Sequence, residues 1–201
     1  MISCLVDTIK ERDVVTADIP GAFLQTDMPD GEDVYIRLDG TMAELLCRLD
    51  PKLYTPCLVG KAGKKVFYAK AKKAIYGTLK AALLFWENLS GTLIDWGFER
   101  NPYDACTINK IINNKQCTIC WHVDDLKILH ADPQMVMDVL DKLNEVYGQI
   151  SPLTVTRGTV HVYVGMTIDY SERGKVKFSM FDYLQEMVWE GIQGCFTNTS
   201  W

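Results

Sequence analysis

Nothing in this chain constrains its folding more than the stretch Cys120-Trp121-His122-Val123-Asp124-Asp125-Leu126-Lys127-Ile128. Two adjacent acids interrupt two β-prone runs, Thr118 to Val123 and Leu126 to Leu129. Short apolar runs of this kind read as strands, and aspartate favours turns. The spacing therefore predicts a hairpin with Asp124 and Asp125 at its tip. Neighbouring carboxylates repel one another and are costly to hold together unless a cation offsets them. A divalent metal is one such cation. An Asp-Asp turn that is merely solvated satisfies the same pattern.

The flanking periodicities place this hairpin among helices. Ile2, Leu5, Val6 and Ile9 at helical spacing predict an opening helix, and Val14 to Ile19 a short buried strand stopped by Pro20-Gly21. Val34 to Leu38 reads as a strand. Thr41 with Glu44 three residues on matches a capping box, with Met42, Leu45, Leu46 and Leu49 on the apolar side of the helix it opens. A long helix runs from about Lys80 to Trp96, with Leu83, Trp86, Leu89, Leu93 and Trp96 near one face, and ends at Gly97. Ala105 to Ile112, Asn113-Asn114 and Gln116 to Val123 form a second hairpin signal. Asp132-Pro133 opens a helix to Tyr147 with Val136, Val139, Leu140, Leu143 and Val146 inward. Strands over 153–157, 161–170 and 176–180 follow, then a helix over 182–190; residues 191–201 show no periodicity. This is an α+β pattern, with helices on one face of an antiparallel sheet. With no repeat, linker or boundary visible, it reads as one domain over 1–190 and an irregular tail over 191–201.

Composition narrows the class. At 201 residues, 48% hydrophobic and 23% charged, the chain has the balance of a globular protein. It lacks the run of about eighteen apolar residues that a membrane helix needs. Its first ten residues carry Asp7 and no basic start, unlike a signal peptide. Seven cysteines at scattered spacings argue for a reducing compartment, and Cys117 and Cys120 read as two buried thiols rather than a zinc pair. Net charge is −5, against the usual basic balance of a nucleic-acid-binding domain. Residues 61–80 nevertheless hold seven lysines (Lys61, Lys64, Lys65, Lys70, Lys72, Lys73, Lys80) and no acid. Such a patch can follow a phosphate backbone, or be a solvated face.

In a sheet of the expected kind, the strand ending at Asp18 can lie beside the Asp124-Asp125 hairpin. Three carboxylates at one edge suit two Mg²⁺ ions, which take oxygen ligands from a few carboxylates and substrate phosphates.

Five segments in order strengthen this reading. Thr16-Ala17-Asp18-Ile19-Pro20-Gly21-Ala22-Phe23-Leu24-Gln25 resembles the first catalytic motif of reverse transcriptases. Lys72-Lys73-Ala74-Ile75-Tyr76-Gly77-Thr78-Leu79-Lys80 and Leu84-Phe85-Trp86 resemble the K-A-L-Y-G-L-K-Q … W segment of Ty1/copia retrotransposons. Gly97-Phe98, Asn101 and Asp104 resemble that group's G-F … S-x-x-D, and His122-Val123-Asp124-Asp125 its Y-V-D-D. Val162-Tyr163-Val164-Gly165-Met166-Thr167-Ile168 resembles its F-L-G-M-x-I primer-grip strand.

The resemblance implies a reverse-transcriptase palm with partial fingers and primer-grip strands, acting in RNA-dependent DNA synthesis with Mg²⁺ (two ions; Mn²⁺ also possible). Asp18 and Asp124 would ligate both metals, and Asp125 would support the site or ligate more weakly. Phe23 would wall off the 2′-hydroxyl of a ribonucleotide, or serve as core packing. Tyr76 and Gly77 would lie beneath the incoming dNTP. Tyr163, Gly165 and Met166 would hold the primer end, and Lys72, Lys73 and Lys80 would contact nucleic acid. Implied partners are an RNA or DNA template-primer, dNTP and the integrase and RNase H segments of an intact polyprotein. The implied location is a cytoplasmic virus-like particle or the nucleus, without secretion.

The match departs from the family at His122, where Tyr is usual, and at Lys80-Ala81-Ala82, where Gln-Ala-Pro is frequent. Only seventeen residues precede Asp18, and the family pattern stops near Glu190. The expectation is therefore a palm-centred, truncated or decayed copy without thumb or RNase H, whose own turnover is left open. A non-catalytic palm remnant that binds nucleic acid or protein is the second reading, and a template-independent nucleotidyl transferase such as a nucleotide cyclase the third.

Overall fold

The strand Asp13–Asp18 lies beside the strand that follows the Asp124 turn, as the sequence anticipates, but several neighbouring elements differ. The structure is a computed structural model describing residues 2–31, 33–60, 66–78 and 80–197, with side chains described to Trp189. In chain order its elements are α1 (Ile2–Ile9), β1 (Asp13–Asp18), β2 (Tyr35–Asp39), α2 (Gly40–Leu49), α3 (Pro51–Tyr54), β3 (Leu58–Val59), β4 (Val66–Lys70) and α4 (Ala81–Asp95). Then come β5 (Glu99–Asn101), β6 (Asp104–Ile112), β7 (Lys115–His122), β8 (Asp125–His130), α5 (Pro133–Tyr147), β9 (Thr154–Thr156), β10 (Val160–Tyr163), β11 (Met166–Asp169), β12 (Lys177–Ser179) and α6 (Phe181–Thr197). The fold is α+β with antiparallel sheets. It divides into two compact units, the first taking in the chain up to Ala22 and from Trp86 onward, the second Phe23–Phe85.

The first unit is built on a six-stranded sheet in the order β5-β6-β7-β8-β1-β9. Asn113 (φ 49°) and Asn114 (φ 59°) make the tight turn between β6 and β7, since asparagine tolerates the left-handed region that such a turn demands. The central strands bury Val15, Ile108, Ile119, Leu126 and Ile128 completely. Each such side chain contributes about 1.5–3 kcal/mol of burial free energy. Helix α5 starts where expected: the Asp132 side chain accepts from the Gln134 N–H at 3.0 Å, and Pro133 occupies its first turn. It packs on β8 and β1 through Val136, Val139, Leu140 and Leu143. Val146, expected inward, is exposed. Tyr147 takes that place because its hydroxyl reaches Asn88 Oδ1 at 2.8 Å and Thr92 Oγ1 at 3.0 Å on α4.

Strand β8 is buried all along 126–130, so both faces of the sheet are covered there. Lys127 alternates with Leu126 and Ile128 and faces α1, where its ammonium donates to Asp7 Oδ2 at 2.7 Å and Ser3 Oγ at 3.2 Å. Arg12 Nη1 lies 3.6 Å from the other Asp7 oxygen. The expected one-sided helical cover is thus supplemented by α1 on the opposite, polar face. Three shorter readings change. Strand β9, expected among the later strands, pairs with β1 in the main sheet, Thr16 facing Thr156. The strand expected over 161–170 is a hairpin of β10 and β11, turned by Val164 (φ 52°) and Gly165 (φ 70°), and joins β12 in a separate three-stranded sheet. Helix α6 continues to Thr197, so 191–197 is helical rather than irregular.

The second unit carries a small sheet in the order β2-β4-β3. Helix α2 begins at Gly40, one residue before Thr41, so the expected capping box is not what opens it. Its only buried residue is Ala43, while Met42, Leu45 and Leu49 are exposed, because three short strands offer little surface to cover them. In α4 the buried positions are Ala81, Phe85, Leu89, Ser90 and Leu93, and Leu83 lies exposed.

Candidate catalytic site

The candidate residues divide between the units, and the three acids fall together in the first. Strand β1 runs antiparallel to β8 in the register Thr16↔Lys127, Ala17↔Leu126, Asp18↔Asp125. The Ile19 N–H donates to the Asp124 carbonyl at 3.2 Å and extends the pairing past the strand end. Asp18 and Asp125 are therefore directly opposed at one edge, with Asp124 in the adjoining turn. The turn itself differs from expectation. His122 pairs with Asp125, so the two tip residues are Val123 and Asp124, and Asp125 opens β8. Val123 sits at φ 57°, a left-handed conformation that a β-branched side chain adopts only under strain.

Electrostatics tie the acids to each other. Burial, then the charges of Asp124 and Asp125, hold the Asp18 carboxyl above its ordinary value. Burial also raises Asp125; a hydrogen bond from the Val164 backbone pulls it back, Asp124 pushes it up and His122 pulls it down. Among the described residues, no three acidic, imidazole or thiol side chains form a ready-made metal cluster. What the edge offers is three oxygen-donor groups, two of which resist ionising together, and this is the donor chemistry that a hard divalent cation satisfies.

The β10–β11 hairpin stands against this edge. Tyr163 pairs with Met166 across the turn. Burial raises the Tyr163 phenol, and the Cys120 and Asp125 charges add to the rise. Gly165 has a positional reason: besides its left-handed backbone, a Cβ there would meet the Tyr183 ring at 3.1 Å. Beneath, His161 is buried, its Nε2 2.9 Å from the Gly158 carbonyl and its Nδ1 3.4 Å from Thr16 Oγ1.

In the second unit Phe23 is buried beneath a half-exposed Tyr76, with ring centroids 4.1 Å apart and planes tilted 45°. Gly77 follows at φ 88°, a turn conformation open to glycine. Lys72, Lys73 and Lys80 are exposed. Lys73 is ion-paired to Asp27 at 2.8 Å and Lys70 to Asp33. Lys61, Lys64 and Lys65 lie outside the described residues.

Cys117 is buried, its thiol pushed up to about 11 by burial, and Cys120 is half-buried; strand alternation points them to opposite faces. Sequence reasoning missed the Asp7–Lys127–Arg12 cluster. Its signal was present: a lysine within the apolar run of β8 and an aspartate within an apolar helix each require a buried partner.

No protein-family model matches the chain. No curated protein matches it. Among solved structures it is similar to a telomerase from Candida albicans in complex with a fragment of telomeric RNA, at TM-score 0.44 and 10% identity. That similarity covers 89% of this chain and 34% of the telomerase chain, so this chain spans about a third of its length. No helix among the described residues is long and apolar enough to cross a membrane.

Proposed function

We propose that the first unit is the palm of a template-directed nucleotidyl transferase of reverse-transcriptase type. More particularly, we infer an RNA-dependent DNA polymerase palm from a Ty1/copia-type retrotransposon polyprotein. The observation that carries this reading is the direct opposition of Asp18 and Asp125 across β1 and β8, with Asp124 in the turn beside them. An apolar strand ending in a carboxylate, set against a hairpin that presents two more, brings together the oxygen donors from which a two-metal phosphoryl-transfer site can be built.

In the reaction the primer 3′-hydroxyl loses its proton and its oxygen bonds to the α-phosphorus of a dNTP, while the bond to the β-phosphate oxygen breaks and pyrophosphate leaves. Asp18 and Asp124 would hold two Mg²⁺ ions, with Asp125 in support. The ions, when bound, neutralise charge on the phosphates and lower the pKa of the attacking hydroxyl. The chain itself positions the reactants. Tyr163, Gly165 and Met166 hold the primer end against the acids. The resemblance further assigns the exclusion of a 2′-hydroxyl to Phe23, which is buried against Tyr76 in the second unit.

Primer extension on an RNA template with Mg²⁺ or Mn²⁺ tests the reading. The expected outcome is dNTP incorporation abolished by Asp124→Asn and by Asp18→Asn. The second reading is a palm remnant that binds without turnover. Salt-sensitive primer-template binding with no incorporation under either metal selects it. Neither binding nor incorporation removes both.

A further inference from the structure

Two lysines of the second unit, Lys70 and Lys73, do not present their charges freely. An acidic segment is stitched along the lysine-rich segment by backbone hydrogen bonds on both sides. The Met28 N–H donates to the Lys72 carbonyl at 2.9 Å, the Ala74 N–H to the Thr26 carbonyl at 2.9 Å, and the Ala71 N–H to the Val34 carbonyl at 2.8 Å. Asp27 and Lys73 face each other as an isolated antiparallel bridge. This registration sets carboxylate against ammonium twice: Asp27 on Lys73 at 2.8 Å, and Asp33 on Lys70, with the Tyr35 hydroxyl donating to Asp33 at 3.2 Å. Between strap and strand lies a cavity of about 430 Å³ whose lining includes Asp27, Asp30, Lys70 and Lys72.

All four paired side chains are 46–78% exposed. Exposed ion pairs of this kind hold weakly and exchange readily. A phosphate diester offers a lysine the same charge and the same oxygen acceptors as a carboxylate. We propose that Asp27 and Asp33 occupy the phosphate positions of a nucleic-acid track, so that a single-stranded template docks along Lys70–Lys73 only by displacing them. The proposal rests on the polymerase reading for its choice of polyanion, a single strand.

The consequence is a distinctive salt dependence. A lysine that enters a complex from bulk solvent releases counterions, and each phosphate contact contributes about −0.7 to the slope of log K against log salt for a single strand. A lysine that only trades a carboxylate for a phosphate contributes far less, because its charge was already neutralised. Two acids displaced from the track also add repulsion toward the strand. The surface is thereby set to bind weakly and to respond little to salt at these two positions.

The test uses the full chain and a fluorescein-labelled oligothymidine of about twenty nucleotides, followed by anisotropy between about 50 and 200 mM salt. Asp27→Asn with Asp33→Asn is compared with the wild type and with a control of equal charge change elsewhere, Asp138→Asn with Asp141→Asn on α5. The expected result is binding tightened on the order of tenfold at the lowest salt, with a slope steeper by about 1.4, from two lysines freed to release counterions. The control pair is expected to leave the slope unchanged. Equal slopes for the strap variant and the wild type, with both binding, overturn the proposal and leave the polymerase reading standing. Equal gains from the strap and control pairs also overturn it, by reducing the effect to net charge. No binding by any chain removes the nucleic-acid reading itself. Circular dichroism and thermal melts establish that each variant is folded.

Discussion

The buried ion pair between Lys127 and Asp7 allows a quantitative test of how the polar face of the sheet is held. The two side chains are 1% and 0% exposed, and their nitrogen and oxygen lie 2.7 Å apart. Burial raises the Asp7 carboxyl, and the Lys127 charge beside it pulls the other way, followed by Arg12. Replacing Asp7 by Asn leaves two cations, Lys127 and Arg12, in a site that water does not reach. Breaking a buried pair by removing one partner costs about 3–5 kcal/mol. Lys127→Met is milder, because Arg12 at 3.6 Å remains to face the carboxylate; an imperfectly satisfied buried group costs about 1–3 kcal/mol. The double variant removes the attraction and most of the desolvation together, so the coupling across a double-mutant cycle should reach about 2–3 kcal/mol. Urea denaturation followed by tryptophan fluorescence measures all four corners. In a chain of this length each kcal/mol moves the midpoint of thermal unfolding by about 2–4 °C, so Asp7→Asn should melt about 10 °C lower. A cost below about 1 kcal/mol for Asp7→Asn, or strictly additive singles, would refute the reasoning.

Three further outcomes follow from the edge that carries the acids. Asp18 is held above its ordinary value, so the folded state binds that proton more tightly than the unfolded state does. Its contribution to stability is present below the ordinary carboxyl value of about 3.9 and is lost as pH rises through the folded one. Asp18→Asn should match the wild type at acid pH and become the more stable protein toward neutrality, as thermal melts across the range will show; a gain confined to acid pH contradicts the assignment. Val123→Gly should relieve the left-handed strain at the hairpin tip and stabilise by about 1 kcal/mol, a gain that vanishes if the φ of 57° is not populated in solution. Titrating Mg²⁺ should raise the melting temperature of the wild type by a few degrees, about 1.4 kcal/mol at ten times the dissociation constant, and should leave Asp18→Asn and Asp124→Asn unmoved. Equal shifts in all three place the ion elsewhere.

Much of the sheet was legible because its residues obey one rule at a time. Val14 to Thr16 are β-prone and buried, Asn113-Asn114 suits a tight turn, and Asp132-Pro133 caps a helix, so local chemistry and final structure agree. The misses occur where tertiary context decides. Val123 and Val164 stand at positive φ, which no propensity scale assigns to valine; the first tip was therefore expected one residue late, and the second hairpin was read as one continuous strand. Met42, Leu45 and Leu49 carry the period of a buried helix face, yet the second unit has too few residues to bury them. The convergence of Asp18 with Asp125 was anticipated from element order, whereas the buried charges of Asp7 and Lys127 could be paired only once α1 was known to cross the sheet. The lysines illustrate the opposite limit: their number was visible in the sequence, but their partners came from an acidic segment about forty residues upstream.

The first unit is interrupted by the whole of the second. Lys127 and Asp7 are 120 residues apart in sequence, and β1 must wait for β8 across nearly that distance. Closing so long a loop is slow, since chain entropy must be surrendered before any contact rewards it. The β6–β7 and β7–β8 hairpins, by contrast, join neighbours and can form early. If residues 23–85 collapse first, they shorten the effective tether and bring β1 within reach of a preformed hairpin. The acidic edge then waits for β1 to return to β8. During synthesis, a chain released before β8 has emerged carries Asp18 on an unpaired strand, exposed to association with other chains.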